Sequence, residues 1–177
     1  MRRYSSESVA VAPRLTVTLT WTSCGLSNIV LADPKRARSR AHVSLPPFIR
    51  DAIWLLRRYF QRDPVTFSQI PLDLAASTSF QRAVWTATRQ IPWGQTRSYR
   101  WLAAHISRPT AVRAVGTALA RNPLPIIIPC HRVIRSDGSL GGFGYGLLLK
   151  SQLLSLENVS LSQESSSTTF PPIQVPS

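Results

Sequence analysis

The sequence predicts an α+β fold, in which a small N-terminal domain of strands and a helix precedes a mainly helical C-terminal domain. Three observations lead to this prediction. Residues 14–21, RLTVTLTW, alternate apolar side chains with threonines, which is typical of a half-buried strand. Thr78 and Gln81 have the spacing of a helix capping box. Residues 98–106 and 110–122 form two short amphipathic segments around Ser-Arg-Pro, which indicates a winged-helix-like helix-turn-helix or another αα-hairpin.

The elements of the N-terminal domain follow from local patterns. The turn SCGLSN joins the strand at 14–21 to a partner strand, NIVLAD. The segment PPFIRDAIWLLRRYFQRD spaces Phe48, Ile53, Leu56 and Phe60 as on one face of a helix. PVTFSQIPLDL is extended and interrupted by prolines, and we interpret it as a linker. Nothing in this half has a catalytic pattern.

The C-terminal domain begins with a helix after Thr78, which PWGQT ends. The helix-turn-helix candidate, the segment PLPIIIPCHRVI, the glycine-rich RSDGSLGGFGYG and a closing helix, LLLKSQLLSLE, follow. The remainder is rich in serine, threonine and proline, which is typical of a disordered tail. We therefore predict domains at 1–75 and 76–158 and a disordered tail at 159–177.

The chain is strongly basic, with 21 Lys+Arg against 8 Asp+Glu and a formal net charge of +13. Nearly all the basic residues are arginines, and the two lysines are Lys35 and Lys150. Such a charge favours a polyanionic partner, since each phosphate contact releases counterions. A solvated basic surface or an arginine-rich genome would give the same composition.

The two cysteines, Cys24 and Cys130, are too few for a disulfide framework. The first residues lack the apolar core of a signal peptide, and no apolar run approaches the roughly 20 residues of a membrane span. We expect a soluble intracellular protein, cytoplasmic or nuclear, without a membrane partner.

The second helix of the helix-turn-helix candidate has two distinct faces. Val112, Val115 and Leu119 share one face and are expected to pack inward. Arg113 lies opposite, beside the small side chains of Ala114, Thr117 and Ala118. Small residues allow a helix to approach DNA closely and leave the arginine projecting furthest, although a lone surface arginine would look the same.

Cys130 lies between Pro129 and His131 at the end of the most apolar segment. A buried cysteine is often only a small hydrophobe, but an adjacent histidine can activate a thiol as a nucleophile. We expect the two to communicate through water, with Glu157 or Asp137 orienting the imidazole. A zinc site would need about four ligands, and no second cysteine is nearby. We therefore predict neither a metal nor a cofactor.

Three stretches together resemble one family. IPCHRVI, the preceding RAVGTALARNPLP and the following GGFGYGLLLKSQLLSLE closely resemble the O6-alkylguanine-DNA alkyltransferases, also called methylated-DNA–protein-cysteine methyltransferases. The resemblance is dense over residues 70–157 and weak before them. It implies a ribonuclease-like N-terminal domain and a monomer that acts on double-stranded DNA. The implied reaction is stoichiometric, irreversible alkyl transfer from O6 of guanine, or from O4 of thymine, to a cysteine after the nucleotide is flipped out.

The resemblance implies roles for the catalytic positions. Cys130 would be the nucleophile, His131 would deprotonate it through water, and Glu157 would orient His131. Tyr99 would crowd the target phosphate and donate a proton to the departing guanine. Asn122 would be the hinge between the recognition helix and the strand that holds the cysteine.

The resemblance also implies that Arg113 fills the gap left by the flipped nucleotide, with its helix in the minor groove. The side chains expected to contact DNA are Tyr99, Arg113, Ala114, Thr117, Ala118, Arg121 and Arg132, with Arg82, Arg97 and Arg100 added as phosphate contacts because of their charge. The expected guanine pocket consists of Pro125, Leu140, Gly142, Phe143, Gly144 and Tyr145.

Some features depart from the family. The N-terminal domain is short and lacks a cysteine-rich zinc arrangement, Phe143 stands where relatives often have tyrosine, and the basic segment 35–42 has no counterpart. Two other hypotheses remain: a module that binds alkylated DNA without chemistry, against which Cys130 argues, and a transcription regulator. The short recognition helix offers little base readout, which disfavours the regulator.

Overall fold

A computed structural model of the chain describes residues 3–13, 15–32 and 45–159. Its contacts divide the chain into two compact units, which meet in sequence between Ala75 and Ala76. The basic segment 35–42 and nearly all of the tail lie outside the described residues. The architecture is α+β, as predicted. None of the helices within the described ranges is long and apolar enough to cross a bilayer.

The first unit contains an antiparallel sheet of three strands in the order β1-β2-β3, formed by Ser5–Ala12, Leu15–Thr22 and Gly25–Ala32. The central strand β2 and its partner β3 were predicted, and a tight turn joins them. Val17 and Leu19 of β2 are fully buried, as the alternation predicted. Strand β1 was not predicted, because its first half is polar and only Val9 and Val11 alternate.

The helix α1, Pro47–Phe60, lies in this unit and begins after Pro46, with a proline in its first turn. Three of the residues predicted for its apolar face, Ile53, Leu56 and Phe60, are buried, whereas Phe48 is only half-buried. The other buried residues of α1 are Ile49, Ala52, Leu55 and Tyr59.

The interpretation of residues 64–74 as a linker was wrong. Phe67 and Ile70 are buried, and the Leu26 amide donates a hydrogen bond to the Pro71 carbonyl at 2.8 Å. Gly25 has φ +144°, and a Cβ added there would lie 2.6 Å from the Pro71 oxygen. The segment therefore packs along β3. Its prolines are tolerated because it forms no regular ladder of backbone hydrogen bonds, and they do not mark an exposed connection.

The second unit is mainly helical. The helix α2, Ser79–Arg89, begins with the predicted capping box, in which the Gln81 amide donates to Thr78 Oγ1 at 3.1 Å and the Thr78 amide donates to Gln81 Oε1 at 2.9 Å. The short helices α3, Tyr99–His105, and α4, Val112–Ala120, follow at the predicted places. The last helix, α5, is Leu147–Leu156.

The second unit also contains a two-stranded parallel pairing. The strand β4, Arg97–Ser98, leads directly into α3, and it pairs with β5, Val133–Ile134. Between α4 and β5 the chain passes through a buried stretch, 124–133, that contains Cys130. The expected strand around the cysteine is absent, since Cys130–Arg132 form a single 3-10 turn. The pairing of β4 with β5 places the start of α3 beside Val133 and Ile134, the residues that follow this turn.

Candidate active site

Asn122 and the turn around Cys130 hold the thiol in a defined position. Asn122 Nδ2 donates hydrogen bonds to the Ile128 carbonyl at 2.8 Å and to Cys130 Sγ at 3.0 Å, and its Oδ1 accepts from the Leu124 amide at 2.9 Å. The enclosed turn includes Ile126 at φ +73°, an unfavourable conformation for a β-branched residue. The asparagine therefore fixes both ends of a strained turn and gives the sulfur a donor.

A buried polar cluster lies directly behind the cysteine. His131 Nε2 donates to Glu157 Oε1 at 2.8 Å, and both side chains are fully buried. Arg132 donates to both carboxylate oxygens, through Nε to Oε2 at 2.8 Å and through Nη2 to Oε1 at 2.9 Å. Its Nη1 donates to the Ile91 carbonyl at 2.6 Å, and the Gly94 amide donates to Glu157 at 3.3 Å. Two consecutive residues of the turn thus share one acid from the end of α5.

The electrostatics of this cluster keep the histidine neutral. Burial alone would raise the pKa of Glu157, but the hydrogen bonds from His131 and Arg132 outweigh it and lower the pKa to about 2. Burial lowers the pKa of His131, although the bond to Glu157 acts in the opposite direction. At neutral pH the imidazole therefore has its proton on Nε2, and Nδ1 has a lone pair that can accept another.

The thiol itself is protonated in the resting protein. Burial raises the pKa of Cys130, while the hydrogen bond from Asn122 and the positive charge of Lys150 lower it less strongly. A thiol of this kind needs a base when it reacts. The other cysteine, Cys24, is exposed, and neither forms a disulfide.

Tyr99, the first residue of α3, contacts the glycine-rich loop. Its hydroxyl donates to the Gly142 carbonyl at 3.2 Å. Gly141 has φ +65°, and a Cβ there would lie 2.8 Å from the Tyr99 ring, so this glycine is required for close packing of the loop on the tyrosine. Burial, followed by the charge of Cys130, raises the pKa of Tyr99, which keeps the phenol protonated at neutral pH.

The residues expected to form the guanine pocket differ in exposure. Pro125 is buried, Leu140 and Phe143 are half-buried, and Gly142, Gly144 and Tyr145 are exposed. The Phe143 and Tyr145 rings lie 6.0 Å apart between centroids. Nothing lies within 4 Å of a Cβ placed at Gly142, so the space beside this residue is open.

Of the small residues expected at the DNA face of α4, Ala114 and Thr117 are exposed together with Arg113. Ala118 is not, which corrects the sequence prediction. It is only 3% exposed, and its carbonyl accepts a hydrogen bond from Trp85 Nε1 at 2.9 Å. The indole of α2 covers this position, so Ala118 belongs to the packing between α2 and α4.

Arg132 is the second correction among the DNA-binding residues. Its guanidinium is buried against Glu157, so it cannot reach a phosphate. The sequence prediction rested on charge alone, which does not distinguish a surface arginine from one that balances a buried carboxylate. Arg82, Arg100 and Arg121 are exposed, and Arg97 is half-buried over the Trp101 ring at 5.4 Å from its centroid.

Lys150 is the residue that the sequence reasoning missed. It is fully buried on α5, and its Nζ donates to the carbonyls of Val133, Leu140 and Gly142. The sequence signal was available: Lys150 is the single charged residue within the apolar run LLLKSQLL. Among the residues that the structure describes, no group of three or more histidine, cysteine, aspartate or glutamate side chains is placed to bind a metal ion.

The buried cluster of His131, Arg132 and Glu157 lies within a region of the chain that matches a known protein family. A family model described as the DNA-binding domain of 6-O-methylguanine DNA methyltransferase matches residues 79–159. The chain is 49% identical over 115 residues to the methylated-DNA–protein-cysteine methyltransferase of Methanosarcina barkeri (strain Fusaro / DSM 804), an alignment covering 64% of this chain and 71% of that protein. It is 46% identical over 114 residues to the protein of the same name from Haemophilus influenzae, covering 64% of this chain and 63% of the other.

A solved structure is similar over most of the chain. The crystal structure of Mycobacterium tuberculosis OGT in complex with DNA superposes with a TM-score of 0.70 at 38% sequence identity. The match covers 88% of this chain and 92% of the other.

The buried pairing of Arg132 predicts a large effect on folding. Arg132→Met removes three hydrogen bonds and leaves the Glu157 carboxylate poorly compensated, so we expect the free energy of unfolding to fall by about 3–5 kcal/mol. Denaturant unfolding measures this, with the exposed Arg121→Met as the control, for which we expect a change within about 0.5 kcal/mol. Equal stability of the two variants would contradict the role assigned to Arg132.

The lowered pKa of Glu157 predicts an acid-dependent contribution to stability. Because the pKa is about 2 in the fold against an ordinary 4.5, the ionised carboxylate stabilises the protein above pH 4.5, and this stabilisation is lost as the pH falls towards 2. The full contribution is about 3 kcal/mol. We expect the stability gap between the protein and its Glu157→Gln variant to close over this range in denaturant titrations. A difference in unfolding free energy between the two proteins that stays constant from pH 6 to pH 2 would contradict this contribution of Glu157.

Proposed function

This chain belongs to the family of methylated-DNA–protein-cysteine methyltransferases, and on that premise we propose that it repairs alkylated DNA by moving the alkyl group from O6 of guanine to Cys130. The observation that supports this assignment best is the arrangement of Cys130, His131 and Glu157 inside the matched region. Such a cluster combines a nucleophile, a neutral base and a group that orients the base.

The activation of Cys130 follows from the charges around it. His131 accepts the thiol proton on Nδ1 through a water molecule, while Nε2 remains bonded to the Glu157 carboxylate. The imidazolium that forms lies against an ionised acid, which stabilises it. Asn122 Nδ2 donates to the sulfur and stabilises the thiolate. Burial disfavours the thiolate in the resting protein, so it forms when the substrate is present.

The transfer is a single displacement. The thiolate attacks the alkyl carbon, an S–C bond forms as the C–O6 bond breaks, and the bonding electron pair leaves on the guanine oxygen. The guanine anion takes a proton from the Tyr99 hydroxyl, which is protonated at neutral pH. The phenolate left behind regains a proton from solvent. The thioether formed at Cys130 is stable, so each molecule acts once and no cofactor is needed.

The guanine would occupy the open space beside the glycine-rich loop. Leu140, Phe143 and Tyr145 supply apolar and aromatic surface for a flat base, with Pro125 on the buried side. Backbone at Gly142 and Gly144 allows close approach without a side chain.

DNA binding would use α3 and α4 as a helix-turn-helix. The exposed Arg113, Ala114 and Thr117 let α4 approach the minor groove, and Arg113 fills the gap when the damaged nucleotide leaves the stack. The net charge of +13 provides binding that is independent of sequence, through arginines such as Arg82, Arg100 and Arg121.

The protein would act on double-stranded DNA as a monomer of two domains, 1–75 and 76–158. Its substrates are O6-alkylguanine and, as a second lesion, O4-alkylthymine.

Mass spectrometry of the alkylated protein tests the transfer. After incubation with excess duplex containing O6-methylguanine, we expect the peptide with Cys130 to gain one methyl group per lesion repaired. Cys130→Ser should bind the same duplex and gain nothing. Binding by the unaltered protein with Cys130 left as a free thiol would overturn the transferase and favour a lesion-binding protein.

The role proposed for Arg113 predicts that its removal slows alkyl transfer from double-stranded DNA only. Arg113→Ala should slow single-turnover transfer from duplex by about tenfold or more, since the displaced base is no longer replaced in the stack. The same lesion in a single-stranded oligonucleotide should react at nearly the normal rate. Arg121 is expected to contact a phosphate, so Arg121→Ala should instead weaken the binding of both substrates. A higher DNA concentration should restore its transfer rate. Equal slowing of both substrates by Arg113→Ala at saturating DNA would contradict the flipping role.

A further inference from the structure

Three side chains at the surface of α3 form one stacked column. The Arg97 guanidinium carbon lies 5.4 Å from the centre of the Trp101 indole. The His105 imidazole stacks on the same indole, with 4.6 Å between ring centroids and 17° between ring planes. Arg97 precedes α3 and His105 is its last residue, so the two groups approach the indole from opposite ends of the helix. We call these three side chains the α3 column.

The α3 column lies on the opposite side of α3 from Tyr99. Successive residues of a helix are about 100° apart, so Tyr99 and Trp101 point in directions about 200° apart. Tyr99 contacts the glycine-rich loop, and Leu102 is fully buried. Trp101 is 37% exposed, and His105 is exposed as well. The column is therefore open to solvent on a face of α3 that the proposed reaction does not use.

Neutral acceptors fix the two outer members of the α3 column. Arg97 donates through Nη1 to the Thr96 carbonyl and through Nη2 to Gln95 Oε1, both at 2.8 Å. His105 Nε2 donates to Gln90 Oε1 at 3.2 Å. Within the part of the chain that the structure describes, neither Arg97 nor His105 forms an ion pair with a carboxylate. The geometry of the column is thus fixed while the positive charge of Arg97 stays uncompensated.

A second exposed tryptophan lacks this uncompensated charge. Trp54 on α1 is 55% exposed, and the Arg58 guanidinium carbon lies 4.9 Å from the centre of its ring. Arg58 also donates to Asp63 Oδ2 at 2.8 Å. The acid balances the arginine at this tryptophan, which makes Trp54 a suitable comparison for Trp101.

The chemistry of the α3 column fits a phosphate. Because Arg97 and His105 lie against the Trp101 ring, the indole edge is the part left for a partner, and a base has no free face to stack on. The edge carries Nε1–H, for which the described residues supply no hydrogen-bond acceptor. A donor beside an uncompensated guanidinium suits an anionic oxygen. In a helix-turn-helix the first helix crosses the DNA backbone, and α3 is the first helix of the proposed one.

We propose that the α3 column binds a phosphate of the DNA backbone through the Arg97 guanidinium and the Trp101 indole N–H, with His105 bracing the indole. The proposal rests on the proposed function for the choice of DNA as the partner. Charge complementarity supports this choice, because the only acids in residues 76–158 are Asp137 and Glu157, and Glu157 is buried.

Binding of undamaged duplex by the full chain tests the proposal independently of alkyl transfer. Trp101→Phe keeps an aromatic ring in the column and removes the N–H, and Arg97→Met removes the charge. Trp54→Phe and Arg50→Met are the matched controls, since both residues are exposed on α1. Thermal unfolding establishes that each variant folds. Fluorescence anisotropy of a labelled duplex then gives Kd at a series of salt concentrations.

For Trp101→Phe we expect Kd to rise by about fivefold or more with an unchanged salt dependence, because a hydrogen bond to a charged oxygen is lost without a change in charge. For Arg97→Met we expect a similar rise, and the slope of log Kd against log salt concentration should fall by about 0.9, the value of one phosphate contact. Each control should change Kd by less than about twofold, since charges that do not touch the DNA are largely screened.

The rate of methyl transfer separates DNA binding from an effect on the active site. At saturating O6-methylguanine duplex, Trp101→Phe should keep the limiting rate within about twofold, because it removes binding and not chemistry. A slower limiting rate with a normal Kd would overturn the proposal, since the column would then act through α3 on Tyr99.

The affinities decide the other outcomes. Values of Kd for both column variants equal to those of the controls would overturn the proposal and favour an acidic protein segment as the partner. A loss in Arg97→Met alone would overturn the part assigned to Trp101. If one variant does not fold, the other decides by the same criterion. If the unaltered protein binds the duplex but transfers no methyl group, the proposed function fails, and the affinities still accept or reject the phosphate contact.

Discussion

The buried carboxylate of Glu157 is the charge around which the second unit is organised. It accepts from His131, from Arg132 through two nitrogens, and from the Gly94 amide. These donors come from the cysteine turn and from the loop after α2, while the acid itself ends α5. A carboxylate without these donors would be strongly disfavoured in the interior. The fold of this unit and the protonation state of its histidine therefore depend on the same contact.

Burial and the polar groups around Cys130 act in opposite directions on the ionisation of its thiol. Burial keeps the thiol protonated, while Asn122 and Lys150 reduce the cost of ionising it. In the proposed reaction, Cys130 is therefore unreactive at rest and needs only a proton acceptor when a substrate arrives. In the proposed reaction the neutral His131 would accept the thiol proton on one ring nitrogen while the other remains bonded to Glu157. Both properties require the site to be enclosed.

The arginines of this chain serve at least two purposes. Arg132 balances a buried acid, and Arg97 covers the ring of Trp101, whereas Arg113 and Arg121 are exposed on or beside α4. Net charge is a fair guide to a polyanionic partner, but it gives no information on which arginine meets the partner. That depends on where the few acids of the domain lie, since a buried carboxylate captures the nearest guanidinium.

Local patterns were enough for much of this protein. The alternation in β2, the capping box of α2 and the positions of α3 and α4 depend on neighbouring residues, so they could be predicted from the sequence, and the motif around Cys130 was specific enough to indicate the family. The packing of residues 64–74 on β3, the covering of Ala118 by Trp85, and the buried positions of Arg132 and Lys150 could not be predicted in this way. Each of these depends on a partner far along the chain, and the free energy that decides it, the pairing of a buried polar group or the filling of space, exists only once distant segments have come together.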